Sequence, residues 1–133
     1  MRRRVIRSLC TVSGIQTFNT TDQHLCLTDK FDDASGNYTQ IVSINGQQIA
    51  TLSTSDGQAQ GWGSAVECAE DNCGTMAAHK WIDTTLTLDT ADPNYDQTMG
   101  KAQGVTGEMS TSDGGVTWTV TDIDIPAFTF GQS

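Results

Sequence analysis

The sequence predicts an all-β protein: a single-domain antiparallel sandwich or barrel of about seven or eight strands, with at most one short helical segment near residues 65–78. Three observations carry this. The chain has 133 residues, enough for one two-layer core and too few for two independent ones. Apolar residues make up only 36 %, while Thr, Ser, Gly, Asp and Gln are abundant and the strong helix formers Lys, Glu, Leu and Arg are scarce. Turn residues also cut the chain at short intervals into runs rich in β-branched and aromatic side chains.

Taken in order, 11–18 and 24–29 read as short strands, followed by a polar loop, "DKFDDASGN". The clearest local signal is "YTQIVSINGQQIATL". Asn45-Gly46 is the favoured pair for a two-residue type I′ turn, because both central positions need positive φ. That turn sets Ile44 opposite Gln47, Val42 opposite Ile49 and Ile41 opposite Ala50, and assigns Val42, Ile44 and Ile49 to the core. Residues 53–63 form a long loop. In 64–79 the composition changes enough to admit a helical turn or two, which Gly74 would end. Next, "KWIDTTLTLD" alternates, with Ile82, Thr84, Leu86 and Leu88 pointing one way and Trp81, Asp83, Thr85 and Thr87 the other. "TADPNYDQ" is a loop, and 102–109 is a weak, glycine-broken strand. In "VTWTVTDIDIPAFTF", Val116, Trp118 and Val120 share one parity, and Ile123 and Ile125 the other. A bulge near Thr121-Asp122 would keep all five inward.

Charge divides the chain unevenly. Arg2, Arg3, Arg4 and Arg7 make a basic N-terminal segment, 1–9, ahead of one β domain, 10–133. Beyond that segment three Lys face 16 acids, a net charge of −13, which repels phosphate backbones and argues against nucleic-acid binding through the body. No apolar run reaches membrane-spanning length. The basic start "MRRRVIRSL" lacks the apolar stretch that would complete a signal peptide. Four cysteines allow three pairings; Cys10–Cys26 and Cys68–Cys73 close the shortest loops and are favoured. With the glycosylation sequons at Asn19 and Asn37, they point to an extracellular, secreted glycoprotein.

The phrase "TSDGGVTW", Thr111 to Trp118, fits Ser/Thr-x-Asp-x-Gly-x-Thr-Trp. It resembles the Asp-box hairpin of sialidases and other repeat-bearing secreted β proteins. The resemblance covers these eight residues and implies a mainly structural turn, away from any catalytic centre. An earlier partial copy, "STSDG" at Ser53 to Gly57, lacks the Thr-Trp ending. A propeller of several blades does not fit in this length, which excludes a sialidase.

For chemistry, Cys68-x4-Cys73-x5-His79, with His24-x-Cys26, carries zinc-type donors, but without the tight paired spacing of zinc sites, so a disulfide is preferred. Asp89, Asp92, Asn94 and Asp96, or Asp29, Asp32 and Asp33, are candidate calcium ligands that lack the regular spacing of a calcium loop; no cofactor is the preferred reading. Glu67, Glu70, Asp71, Glu108, Asp122 and Asp124 could supply the two carboxylates of a glycoside hydrolase, but nothing pairs them and no nucleophile elbow exists. An enzyme therefore ranks below a binding protein. Trp62, set between two glycines and expected to be exposed, Trp81 and Tyr95, beside Asp92 and Asn94, resemble the aromatic and polar sets that hold sugars. Trp118 is assigned to the core. The expected function is a secreted recognition domain for a glycan or glycoprotein. The alternative is a structural or interaction protein, such as an effector, shell or filament subunit, that forms homo-oligomers through its basic head and acidic body. A small glycoside hydrolase comes third.

Overall fold

The computed structural model describes residues 5–13, 23–55, 57, 59, 61–69 and 73–131, with the side chains of 5–13, 23 and 24 outside that description. Among the described residues there are eight strands: β1 (Val5–Ser13), β2 (Gln23–Asp32), β3 (Asn37–Ile44), β4 (Gln47–Thr54), β5 (Thr75–Met76), β6 (His79–Leu88), β7 (Thr117–Ile125) and β8 (Phe128–Thr129). Six make one antiparallel sheet in the order β4-β3-β2-β1-β6-β7, and β5 and β8 form a small ribbon. The fold is all-β, as the composition requires. The large sheet stays open, with β4 and β7 at its edges, so no barrel closes. Among the described residues the one helical feature is a 3-10 turn at Tyr95–Thr98, while 70–72 of the expected segment, 65–78, lie outside the description. Elsewhere in that segment, 65–69 are irregular and Thr75–Met76 are strand.

β1 sits in the middle of the sheet, between β2 and β6. It spans residue 9, so the basic N-terminal segment and the chain that follows share this strand. Val5 already pairs with Leu88, because "VIRSLCTVS" is β-branched and alternating enough to serve as a strand despite Arg7. β2 likewise runs past the expected Asp29 to Asp32, since Phe31 pairs with Tyr38 and their rings lie 5.0 Å apart.

The hairpin turns at Asn45 (φ 50°) and Gly46 (φ 79°), and Ile44 pairs with Gln47 as expected. One step further the register slips. Ser43 pairs with Gln48 and Val42 with Ala50, which leaves Ile49 as an extra bulged residue, 56 % exposed. Ile49 is thus not a core residue, and Ile41 meets Thr51 rather than Ala50.

A second bulge corrects the alternation expected in β6. Against β1, Ser8 pairs with Thr85 and Cys10 with Ile82, so β6 carries one residue too many there; Asp83 takes φ 51°. Asp tolerates that left-handed backbone better than branched residues do. Thr84, Leu86 and Leu88 are buried as expected, but beyond Asp83 the parity reverses. Trp81 comes opposite Ile123, which is 7 % exposed, while Lys80 turns to the other face, 3.3 Å from Asp122 and 4.0 Å from Asp124. Trp81 therefore shares the face of Leu86 and Leu88, and Ile82 leaves it. The parity change expected near Thr121-Asp122 is real, but its left-handed residue is Asp83, opposite Thr121. Trp118, Val120 and Ile123 are all buried, with Val116 and Ile125 half-buried.

The core lies on this face. Leu86, Leu88, Tyr95 and Trp118 form a buried cluster, with Trp62 and Met109 packed against it. Tyr95 and Trp118 approach to 6.3 Å between ring centroids. Connecting segments supply the covering layer. Cys68 and Cys73 are joined by a disulfide. Cys26 is also disulfide-bonded, and the residue opposite it in the β1–β2 ladder is Cys10.

Candidate functional site

The site is built outward from the "TSDGGVTW" turn. The Asp113 carboxylate accepts hydrogen bonds from the backbone N–H of Thr117 (2.8 Å) and Val116 (3.1 Å), and from the Thr111 hydroxyl (2.9 Å). These bonds, the Thr117 N–H first among them, lower its pKa to about 2. The same bonds close the turn and aim Trp118 inward, where it is 3 % exposed and donates from Nε1 to the Gly115 carbonyl at 3.2 Å. Gly115 is buried with φ 97°, and a Cβ there would lie 2.4 Å from the Asp92 carbonyl. Only glycine lets the turn rest on 92–93, and the Asp92 N–H bonds Gly115 O at 3.0 Å. That contact fixes the start of the next loop, whose 3-10 turn drops Tyr95 into the core, 5 % exposed.

Over this base opens a groove of about 540 Å³. It is lined by three stretches of the chain: Trp62 to Val66, residues between Tyr95 and Met109, and Ile123 with Ile125 to Phe128. Of these Tyr95 and Ile123 are buried. The volume lies in the usual range for small-molecule pockets, and the lining is mainly apolar. Phe128 is 49 % exposed and leans on Phe130 edge to face at 5.1 Å. The one cation among the described lining residues is already engaged. Lys101 Nζ donates to Gly107 O at 3.0 Å and to Glu108 Oε1 at 2.6 Å. Among the described residues no lining residue is acidic.

Of the five residues expected to bind ligand, the structure brings together two: Trp62 and Tyr95 line the groove. Trp62 is half-buried rather than fully open, because its ring packs on the core cluster. Trp81, Asp92 and Asn94 lie outside the lining. Trp81 is half-buried, with its Nε1 enclosed and unbonded. Asp92 Oδ1 accepts from Asn94 N at 3.1 Å, and Asn94 Oδ1 from Gln97 Nε2 at 3.4 Å, so both shape their own loop. The candidate calcium residues are likewise not gathered: among the described residues no cluster of three His, Cys, Asp or Glu side chains could hold a metal ion. Asp32 instead caps its own turn, accepting from Ser35 Oγ at 2.6 Å and Ser35 N at 3.0 Å, and these bonds lower its pKa. Of the acids considered for hydrolysis, Asp122 and Asp124 face Lys80, and Glu108 pairs with Lys101. Glu70 and Asp71 lie outside the described residues, as does Asn19; Asn37 opens β3, half-buried.

Met99, Val105, Met109 and Phe128 also line the groove and were not singled out from the sequence, and Ile125, expected in the core, lines it too. Met99, Val105 and Met109 are isolated apolar residues among polar or glycine neighbours, with no spacing that marks a common surface. The residues 106 to 110 that carry Met109 are held to β7 by two bridges, Thr106 to Asp124 and Ser110 to Thr119. No family model, curated protein or solved structure matches the chain.

Proposed function

We propose that this protein is a recognition domain, and that its ligand enters the groove over Tyr95 with an apolar group foremost. The observation that carries this is the lining. A half-buried Trp, a Phe, two Met and several branched aliphatic residues surround about 540 Å³, with no carboxylate among the described lining residues. Such a wall suits an aromatic or branched aliphatic moiety, whose burial releases water from apolar surface on both sides.

The glycan reading is the second, and it rests on Trp62. Gly61 and Gly63 flank this ring and have open space where side chains would stand, so the flat face of a sugar can approach. Within the groove its hydroxyls would meet Ser64, Thr98, Gln103 and backbone groups rather than acids. In either case Thr111 to Trp118 serves as an Asp-box-like structural turn that shapes the groove from below. A secreted setting accords with the Cys68–Cys73 disulfide and the sequon at Asn37. Among the described residues no helix is long and apolar enough to cross a membrane.

Titration with anilinonaphthalene sulfonate and, in parallel, a glycan array test the proposal. Dye binding that weakens in Trp62→Ala and Phe128→Ala supports the apolar reading. Glycan binding lost in Trp62→Ala supports the second. Dye and glycans that both ignore the wild-type groove overturn the assignment of the site.

A further inference from the structure

We propose that the free edge of the large sheet, strand β4, is a self-association surface at which a second copy of this chain adds its own β4 antiparallel, joining two six-stranded sheets into one. The two edges of the sheet are treated differently. Along β7 the chain covers its own edge: Thr106 N bonds Asp124 O at 3.1 Å, Asp124 N bonds Thr106 O at 3.0 Å, and Ser110 and Thr119 exchange two bonds of 2.9 Å. Along β4, among the described residues, no backbone hydrogen bond reaches the outer side. The strand is eight residues long, "QQIATLST", with neither proline nor charge, the usual means of blunting an edge. Its two large apolar side chains are open to solvent, Ile49 at 56 % and Leu52 at 60 %. The bulge at Ile49 interrupts only the first half, so Ala50 to Thr54 remain regular.

Charge and symmetry favour a second copy as the occupant. The whole chain carries −9, yet no residue from Ala34 to Ser55 is charged. Two like-charged copies therefore meet with least repulsion along this hairpin. A two-fold axis normal to the sheet keeps each face on its own side, so residues of equal parity must meet. Centred on Leu52, it places Leu52 against the partner's Leu52, Ala50 against the partner's Thr54, and Thr51 against the partner's Ser53. The result is a small apolar contact on top of the shared ladder. One strand edge buries less than the roughly 800 Å² per partner of a standard interface, so the dimer is weak and concentration-dependent. Salt strengthens it by screening the repulsion between two acidic bodies. Assembly of basic heads on acidic bodies would show the opposite salt dependence.

Analytical ultracentrifugation of the full chain tests this, from about 10 μM to about 1 mM and from about 0.05 M to about 0.5 M salt. The expected result is a monomer–dimer equilibrium that shifts to dimer with concentration and with salt. Leu52→Lys should weaken it at least about tenfold with an unchanged melting temperature. Ala50→Lys, at the same edge, provides a second variant should Leu52→Lys perturb folding. A monomer throughout, association that salt weakens, or a dimer indifferent to both variants overturns the proposal.

Discussion

Asp113 shows how much a single exposed carboxylate can organise. Its pKa lies near 2 in the folded protein, against an ordinary 3.8, because backbone N–H groups of the turn favour the charged form. The folded value is the lower one, so the stabilisation is complete above pH 3.8 and disappears as pH falls toward 2. Melting curves of wild type and Asp113→Asn should accordingly separate at neutral pH and converge toward pH 2. A pH-independent difference would show that the charge is not what the turn uses. Thr84 illustrates the opposite case. It is fully buried and its hydroxyl has no partner. Thr84→Val keeps the shape and removes an unsatisfied polar group, so it should stabilise by about 1 kcal/mol in chemical denaturation; a loss of stability would mean the hydroxyl is bonded after all. At this scale the turn was legible because its pattern is local: Asp, Gly and Trp act within eight residues. Asp92 and Asn94 fall outside the groove lining, and sequence could not show this, because a polar loop looks the same whether its side chains face a pocket or cap their own backbone.

The strands were readable wherever alternation and turn residues agreed, as at Asn45-Gly46. What escaped were the two bulges. An extra residue in one strand is visible only against its partner strand, and neither Ile49 nor Asp83 breaks the alternation of its own strand in sequence. Each reversed a face assignment: Ile49 left the core, and Trp81 joined the face of Leu86. Asp83 is the sharper test of this geometry, since its φ of 51° burdens most side chains. Asp83→Gly should be neutral or slightly stabilising, whereas Asp83→Val should cost about 1–3 kcal/mol in a denaturant titration. Equal stabilities of the two variants would argue against a left-handed residue at that position.

Across the whole molecule, the structure joins an acidic, largely polar surface to one apolar groove that crosses several connecting segments. Its residues come from 62–66, 95–109 and 123–128, which explains why the sequence pointed to Trp62 and Tyr95 but not to their neighbours. A surface assembled from three distant stretches has no period. The all-β class was legible because composition and turn spacing are properties of the entire chain. The sheet order was not, since placing β1 at its centre depends on pairings between residues as far apart as Val5 and Leu88. The central claim is that this groove is where a ligand binds, and the chain carries its own reporters. Met99 and Met109 line the groove, while Met76 stands outside the lining, 43 % exposed on the small ribbon. Methyl NMR of methionine-labelled protein, titrated with an apolar aromatic probe, should move the Met99 and Met109 resonances most and Met76 least. Saturable shifts at Met76 with Met99 and Met109 unmoved would contradict the assignment of this groove as the recognition site.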